Sequence, residues 1–262
     1  MAAEPTFLQC LATQRRVLYA LLMREVITRF GRENLGVLWL VGEPMMFTLG
    51  VTAMWTAAGM NHGSAIPIVA FAVTGYSSVL LWRNCASHVT FGIEENKSLL
   101  YHRNVQVIDV LLMRILLEIG GATASFLVLS TFFILIGWMS LPVDLLQVVE
   151  GWLMLAWFGT SLAIFVGAAT AVSNIVERLW HPTSYLLFPL SGAAFMVDWL
   201  PPDFQKGVLL LPMVHGAEML RQGFFGNVVR THYDVRYMAE ICLVLTLGGL
   251  YLVRVVSRRF EF

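Results

Sequence analysis

The chain is 262 residues long, 58% hydrophobic and only 13% charged, with 17 basic residues balanced by 17 acidic ones and a mean hydropathy of +0.72. Soluble domains carry roughly 45–50% apolar and about 25% charged residues, so a purely water-solvated fold is excluded and lipid must be part of the solvent. Zero net charge argues against nucleic acid as a main partner, and Cys10, Cys85 and Cys242 are too far apart for a metal or redox motif, so they read as free thiols.

Residues 1–36 form an N-terminal region without a cleavable signal, because Met1 to Arg16 is mixed and the first long apolar run starts near Val37. Within it Met23, Val26, Ile27 and Phe30 fall at helical spacing and make one apolar stripe, with Arg24, Glu25, Arg29 and Arg32 opposite. Such a helix either lies in a membrane surface or packs on the protein's own polar end. A spanning helix needs about 20 mostly apolar residues. Segments 37–58, 65–82, 106–138, 148–172, 182–199 and 237–256 meet that need, so an all-α polytopic membrane protein of about six spans is expected over 37–256, with a tail at 257–262. The third segment exceeds one bilayer crossing and must protrude or tilt.

Arginine and lysine set the orientation. Arg15, Arg16, Arg24, Arg29 and Arg32 precede the first span; Arg83, Lys97 and Arg103 follow the second; Arg178 follows the fourth; Arg254, Arg258 and Arg259 end the chain. The 59–64 and 139–147 loops hold none. Both termini are therefore expected in the cytoplasm. Segment 200–236 departs from the rule with Lys206, Arg221, Arg230 and Arg236, and its short apolar runs are broken by Pro201, Pro202, Gly207, Pro212, Gly216, Gly223 and Gly226. That pattern predicts a re-entrant hairpin before the last span.

No phosphate-cradling GxxxxGK[ST], HExxH, GxSxG or Cys/His metal spacing occurs, so no catalytic residue and no metal ligand is assigned. The span centres lack the carboxylates of a proton relay, and Arg114 and Glu118, four apart, are expected to pair. The aromatic residues Trp39, Trp55, Tyr185, Phe188, Phe195 and Trp199 suit either an interfacial belt or a surface along which sugar rings slide. Gly159, Ala163 and Gly167 form a small-residue ridge suited to close helix packing. The 92–104 loop, GIEENKSLLYHRN, carries a Leu99–Leu100–Tyr101 knob among charges, which calls for a partner groove.

Three stretches carry a family resemblance: REVITRFGRENLGVLWLVGEP (Arg24–Pro44), IEENKSLLYHRNVQVIDVLLMRILLE (Ile93–Glu118) and LPMVHGAEMLRQGFF (Leu211–Phe225). In order and depth they resemble the KpsM-type permeases that export capsular polysaccharide; Asn104 and Leu211 stand where that family often has Pro and Asn. The resemblance implies a type-2 ABC exporter subunit in the bacterial inner membrane, paired with a second copy of itself and with two ATPase subunits. ATP and magnesium then belong to the ATPase, and no cofactor is expected in this chain. It further implies a lipid-linked acidic polysaccharide as cargo, handed to a periplasmic co-polymerase and an outer-membrane channel. The implied roles are ATPase coupling for Glu94, Glu95, Asn96, Leu99, Leu100, Tyr101 and Arg103; a substrate entrance at Arg24, Arg29 and Arg32; a path along the six aromatics; and a periplasmic gate at His215, Glu218 and Arg221. Another glycan such as O-antigen or a teichoic-type polymer, a small lipid or drug, and ATP-independent secondary transport are the competing cargoes and modes.

Overall fold

The computed structural model describes residues 7–30, 36–59, 66–100 and 105–258. Among them no strand occurs, and eleven α-helices follow one another: α1 (Phe7–Phe30), α2 (Gly36–Ala57), α3 (Ile68–His88), α4 (Gly92–Glu95), α5 (Lys97–Leu100), α6 (Val107–Leu135), α7 (Leu145–Val172), α8 (Asn174–Leu190), α9 (Pro202–Val208), α10 (Pro212–Phe225) and α11 (Val235–Ser257). By length and composition α6, α7 and α11 are apolar enough to cross a membrane. The 29 residues of α6 span about 43 Å, longer than the roughly 30 Å hydrocarbon core. The helices α2, α3 and α8, of 22, 21 and 17 residues, occupy the other expected spans. They are diluted by Glu43, Arg83 and the Glu177–Arg178 pair.

Helix α7 is the hub. It packs against α3, α10 and α11 most heavily, and against α6 and α8. The Gly159–Ala163–Gly167 ridge makes this possible: a Cβ on Gly159 would lie 3.0 Å from the Trp82 Cα, and one on Gly167 would lie 2.9 Å from Leu111 Cδ2. The small residues are therefore spent on internal packing. The core splits into a larger cluster around Trp82, Leu155 and Phe126 and a second around Cys85, Leu111 and Val256 near the α4–α5 end. Several polar side chains inside helices satisfy themselves locally. Thr48, Thr52 and Thr56 each donate to the carbonyl four residues earlier, at 3.0, 2.7 and 2.8 Å, as a helix in an apolar medium requires.

The N-terminal helix is 24 residues long; of its apolar stripe Met23 is 38% and Ile27 67% exposed, whereas Val26 packs on the inner cluster with Leu21, and Glu25 faces inward, 3.3 Å from Arg114 on α6. Two expectations change. The 173–181 stretch is not a loop, because Ser173 caps α8 directly by accepting from the Ile175 N–H at 3.4 Å. The fifth segment stops being helical at Leu190 rather than 199. Gly192 has φ +80°, a conformation open to glycine, and the chain turns there, so Phe195 and Trp199 leave the helix.

Candidate functional site

The site is built where the ends of α1, α2, α3, α4 and α8 meet. Helices α3 and α8 run antiparallel: Trp180 Nε1 donates to Ser87 Oγ at 3.3 Å, Arg83 lies 4.8 Å from the Tyr185 ring, and Tyr76 lies 5.7 Å from Phe188. Between them and α1–α2 opens a polar cleft of about 710 Å³, within the usual range for ligand pockets. Its walls include Arg24, Glu43, Arg83, His88, Glu95 and His181. A smaller cavity of about 280 Å³ shares Glu43, Asn84 and His88 with it and adds Trp39 and Glu118.

From the cleft an aromatic row climbs along α3. Arg83 lies over Tyr185 and Phe188; Phe188 meets Tyr76 and Phe47; Tyr76 meets Phe47 and Trp55. Trp55 stacks on Phe71 at 6.0 Å, and Phe71 meets Trp199 at 5.1 Å. From Arg83 to Phe71 the row rises about 18 Å at 1.5 Å per residue. The structure thus brings together Trp55, Tyr185, Phe188 and Trp199. It leaves Trp39 apart in the small cavity, and packs Phe195 beside Val197, Val208 and Val214. Phe47, Phe71, Tyr76 and Arg83 were not singled out from sequence; the available signal was one arginine closing an otherwise apolar 68–82 run.

At the floor of the cleft the expected Arg114–Glu118 pair does not form. Arg114 is held by Glu95, by Glu25 at 3.3 Å and by the His88 carbonyl at 2.9 Å. Glu118, buried in α6, meets His88 Nδ1 at 2.7 Å instead. Four residues apart is near enough on a helix surface, but Arg114 has two acids from other helices on its side. Arg24 donates to Asn96 Oδ1 at 3.1 Å, so an entrance residue and a coupling residue touch. The Asn96 amide also donates to the Gly92 carbonyl at 3.0 Å. The side chain of Arg29, and residues Arg32, Tyr101 and Arg103, lie outside the described residues.

The expected apolar knob is rearranged. Leu100 is 6% exposed and Leu99 packs on the same inner cluster, because α4 packs on α6 and α5, following it, turns its leucines toward the core. What α4 and α5 present outward is Glu94, Glu95, Lys97 and Ser98, beside the exposed Phe91.

At the other end of the bundle α10 ties three loops together. Arg221, fully enclosed, donates to the carbonyls of Gly192, Phe195 and Ala193 at 2.6, 2.8 and 2.7 Å and lies 3.9 Å from the Phe71 ring. Glu218 accepts from the N–H groups of Val197 at 3.2 Å and His232 at 3.0 Å. His215 accepts from the Asp234 N–H at Nδ1, 2.8 Å away, and its Nε2 meets the Leu209 carbonyl at 2.8 Å. With 14 residues, about 21 Å long, α10 is too short to span. Burial pushes the Glu218 carboxyl above its ordinary range, opposed by the His232 N–H, by Arg221 and by the Val197 N–H. Burial likewise lowers Arg221 to about 10. The three gate residues are therefore a clamp inside the hairpin, closed off from solvent.

A bundle of apolar helices around a polar cleft that continues into an aromatic row has the make-up of a membrane transport domain. The chain belongs to the ABC-2 type transporter family, whose model matches residues 16–225. It is 42% identical to the capsule polysaccharide export inner-membrane protein CtrC of Neisseria meningitidis serogroup B, over 98% of this chain and 97% of that protein. It is 39% identical to the capsule polysaccharide export inner-membrane protein BexB of Haemophilus influenzae over the same shares. The polysialic acid transport protein KpsM of Escherichia coli is more distant, at 26% over 92% and 93%.

Proposed function

We propose that this chain is the inner-membrane permease subunit of an ABC exporter that moves a lipid-linked acidic polysaccharide, of the capsular kind, out of the cytoplasm. The observation that carries the assignment is the full-length likeness to proteins named for capsule polysaccharide export; the polar cleft, with Phe47 and Tyr185 in its wall, supports a place for cargo to enter. Aromatic faces hold sugar rings by contact without locking them through hydrogen bonds, so a chain can advance. The permease does no bond chemistry and supplies two states of a path whose balance a motor shifts.

In this reading 37–256 holds six spans (α2, α3, α6, α7, α8 and α11), both termini lie in the cytoplasm, and 200–236 is a periplasmic re-entrant hairpin. Residues 1–36 are the N-terminal region and 257–262 the tail. Helix α1 lies in the membrane surface: its outward Leu11, Tyr19, Met23 and Ile27 meet acyl chains while Arg24, with Arg29 and Arg32, meets phosphate. The 92–104 loop docks on a separate ATPase that binds ATP and magnesium. Two copies of this chain and two ATPase subunits make the exporter, which hands cargo to a periplasmic co-polymerase and an outer-membrane channel. The hairpin gates that exit as one block, with His215, Glu218 and Arg221 as its internal fastening. Deleting the permease should leave cells without surface polysaccharide and with polymer accumulated inside. Surface polymer at wild-type level in the deletion strain refutes the assignment.

A further inference from the structure

Among the described residues the cleft holds three arginines, and they are not in the same condition. The terminal nitrogens of Arg114 meet two carboxylates and a carbonyl, although its Nε has no partner among the described residues, and Arg24 donates to the neutral Asn96 amide. Among the described residues Arg83 meets neither a carboxylate nor a carbonyl, but the rings of Tyr185, at 4.8 Å, and Phe188, at 5.6 Å. Its Nε is shut off from solvent and has no hydrogen-bond partner among the described residues. Taking a guanidinium partly out of water without an acceptor is unfavourable, so such a group is ordinarily matched by one. Here no acceptor comes from the described residues, and the guanidinium lines the cleft.

We propose that Arg83 is the residue that recognises the cargo's negative charge, taking an oxyanion of the glycan (a sugar carboxylate or a phosphodiester) as its missing partner. This rests on the export reading and names the substrate contact within it. The rings fix the plane of the guanidinium and leave its edge donors for a two-pronged contact with carboxylate or phosphate. Beside Arg83 the cleft wall carries the rings of Tyr185 and the exposed Phe47, which meets Phe188, and these suit the sugar ring that bears the anion. A bare inorganic anion would have no use for them. Of the three glutamates in the cleft wall, Glu25 and Glu95 face Arg114, which leaves Glu43 as the acid whose charge would weigh against an anion at Arg83.

The test uses the full permease–ATPase complex. A permease-deletion strain is complemented with wild type, Arg83→Ala, Arg83→Lys or Glu43→Gln, and surface polymer is quantified along with ATPase co-purification. Arg83→Ala is expected to lower surface polymer roughly tenfold, the worth of one charge-assisted contact, with the ATPase still co-purifying. Arg83→Lys recovers only part, since it keeps the charge and loses the fork. Glu43→Gln, which removes a negative charge from the cleft wall, is expected to raise polymer affinity. In nanodiscs, polymer extracted from the deletion strain is titrated against the complex before and after mild-acid release from its lipid anchor. A weaker Arg83→Ala response to both forms assigns the oxyanion to the sugars; a deficit confined to the anchored form assigns it to the anchor phosphate. Wild-type export and polymer affinity in Arg83→Ala overturn the proposal, as does an equal loss of export in Arg83→Ala and Glu43→Gln. Failure of the wild-type gene itself to restore surface polymer removes the export reading, and this one with it.

Discussion

Arg221 shows what a charge is for when it is buried where a membrane protein bends. Three carbonyls in the turn after α8 converge on its guanidinium, and Gly75 on α3 is the residue that lets both come so close, since any Cβ there would collide with the Ala193 carbonyl and with Arg221. Replacing Arg221 by Ala leaves those carbonyls without donors. Hydrogen bonds to charged groups are each worth about 1.5–3 kcal/mol, so a loss of about 3 kcal/mol or more is expected, read as a lower Tm of the detergent-solubilised protein. An Arg221→Ala protein as heat-resistant as wild type contradicts the clamp. That His215, Glu218 and Arg221 matter was legible in LPMVHGAEMLRQGFF, where charges interrupt an apolar run. That they point inward was not, because their partners are backbone groups of residues 192–234 whose approach depends on the tertiary turn. Arg83 was missed for a similar reason: its condition is defined by partners it lacks.

At the scale of elements, apolar runs located most of the long helices because lipid imposes both length and composition on them, but set the fifth at 182–199 where α8 runs Asn174–Leu190. They failed where tertiary contacts decide. The stripe Met23–Ile27 was legible; that Val26 packs inward and Glu25 faces Arg114 was not, since that contact joins residues 89 apart. In the same way, Leu99 and Leu100 looked like a docking knob because four-residue helices have no periodicity to read, and their burial against α6 is a packing outcome. In the proposed docking on an ATPase, the surface that α4 and α5 offer is therefore charged. Reversing Glu94 and Lys97 together (Glu94→Lys with Lys97→Glu) should cut ATPase co-purification severalfold with the permease still folded, as rim charges set encounter and register more than fold. A Leu100→Asp change should unfold the α4–α5 end instead, because it buries an unpaired carboxylate. Full ATPase recovery with the double reversal places the docking surface elsewhere.

For the whole molecule, composition pointed to lipid as the solvent, and three ordered motifs pointed to the family that the full-length likeness shows; the cleft and the row of packed rings beside it emerged only when α2, α3 and α8 were seen side by side. The account makes a division of labour its centre: this chain furnishes the cleft, the aromatic row and the fastened hairpin, and the force comes from a companion that hydrolyses ATP. The direct measurement is transport in sealed proteoliposomes containing this chain with or without the ATPase, scored by polymer moved to the far side of the membrane. Movement is expected only when both proteins and ATP are present, and to stop when the ATPase is omitted. Equal movement by this chain alone would contradict the account.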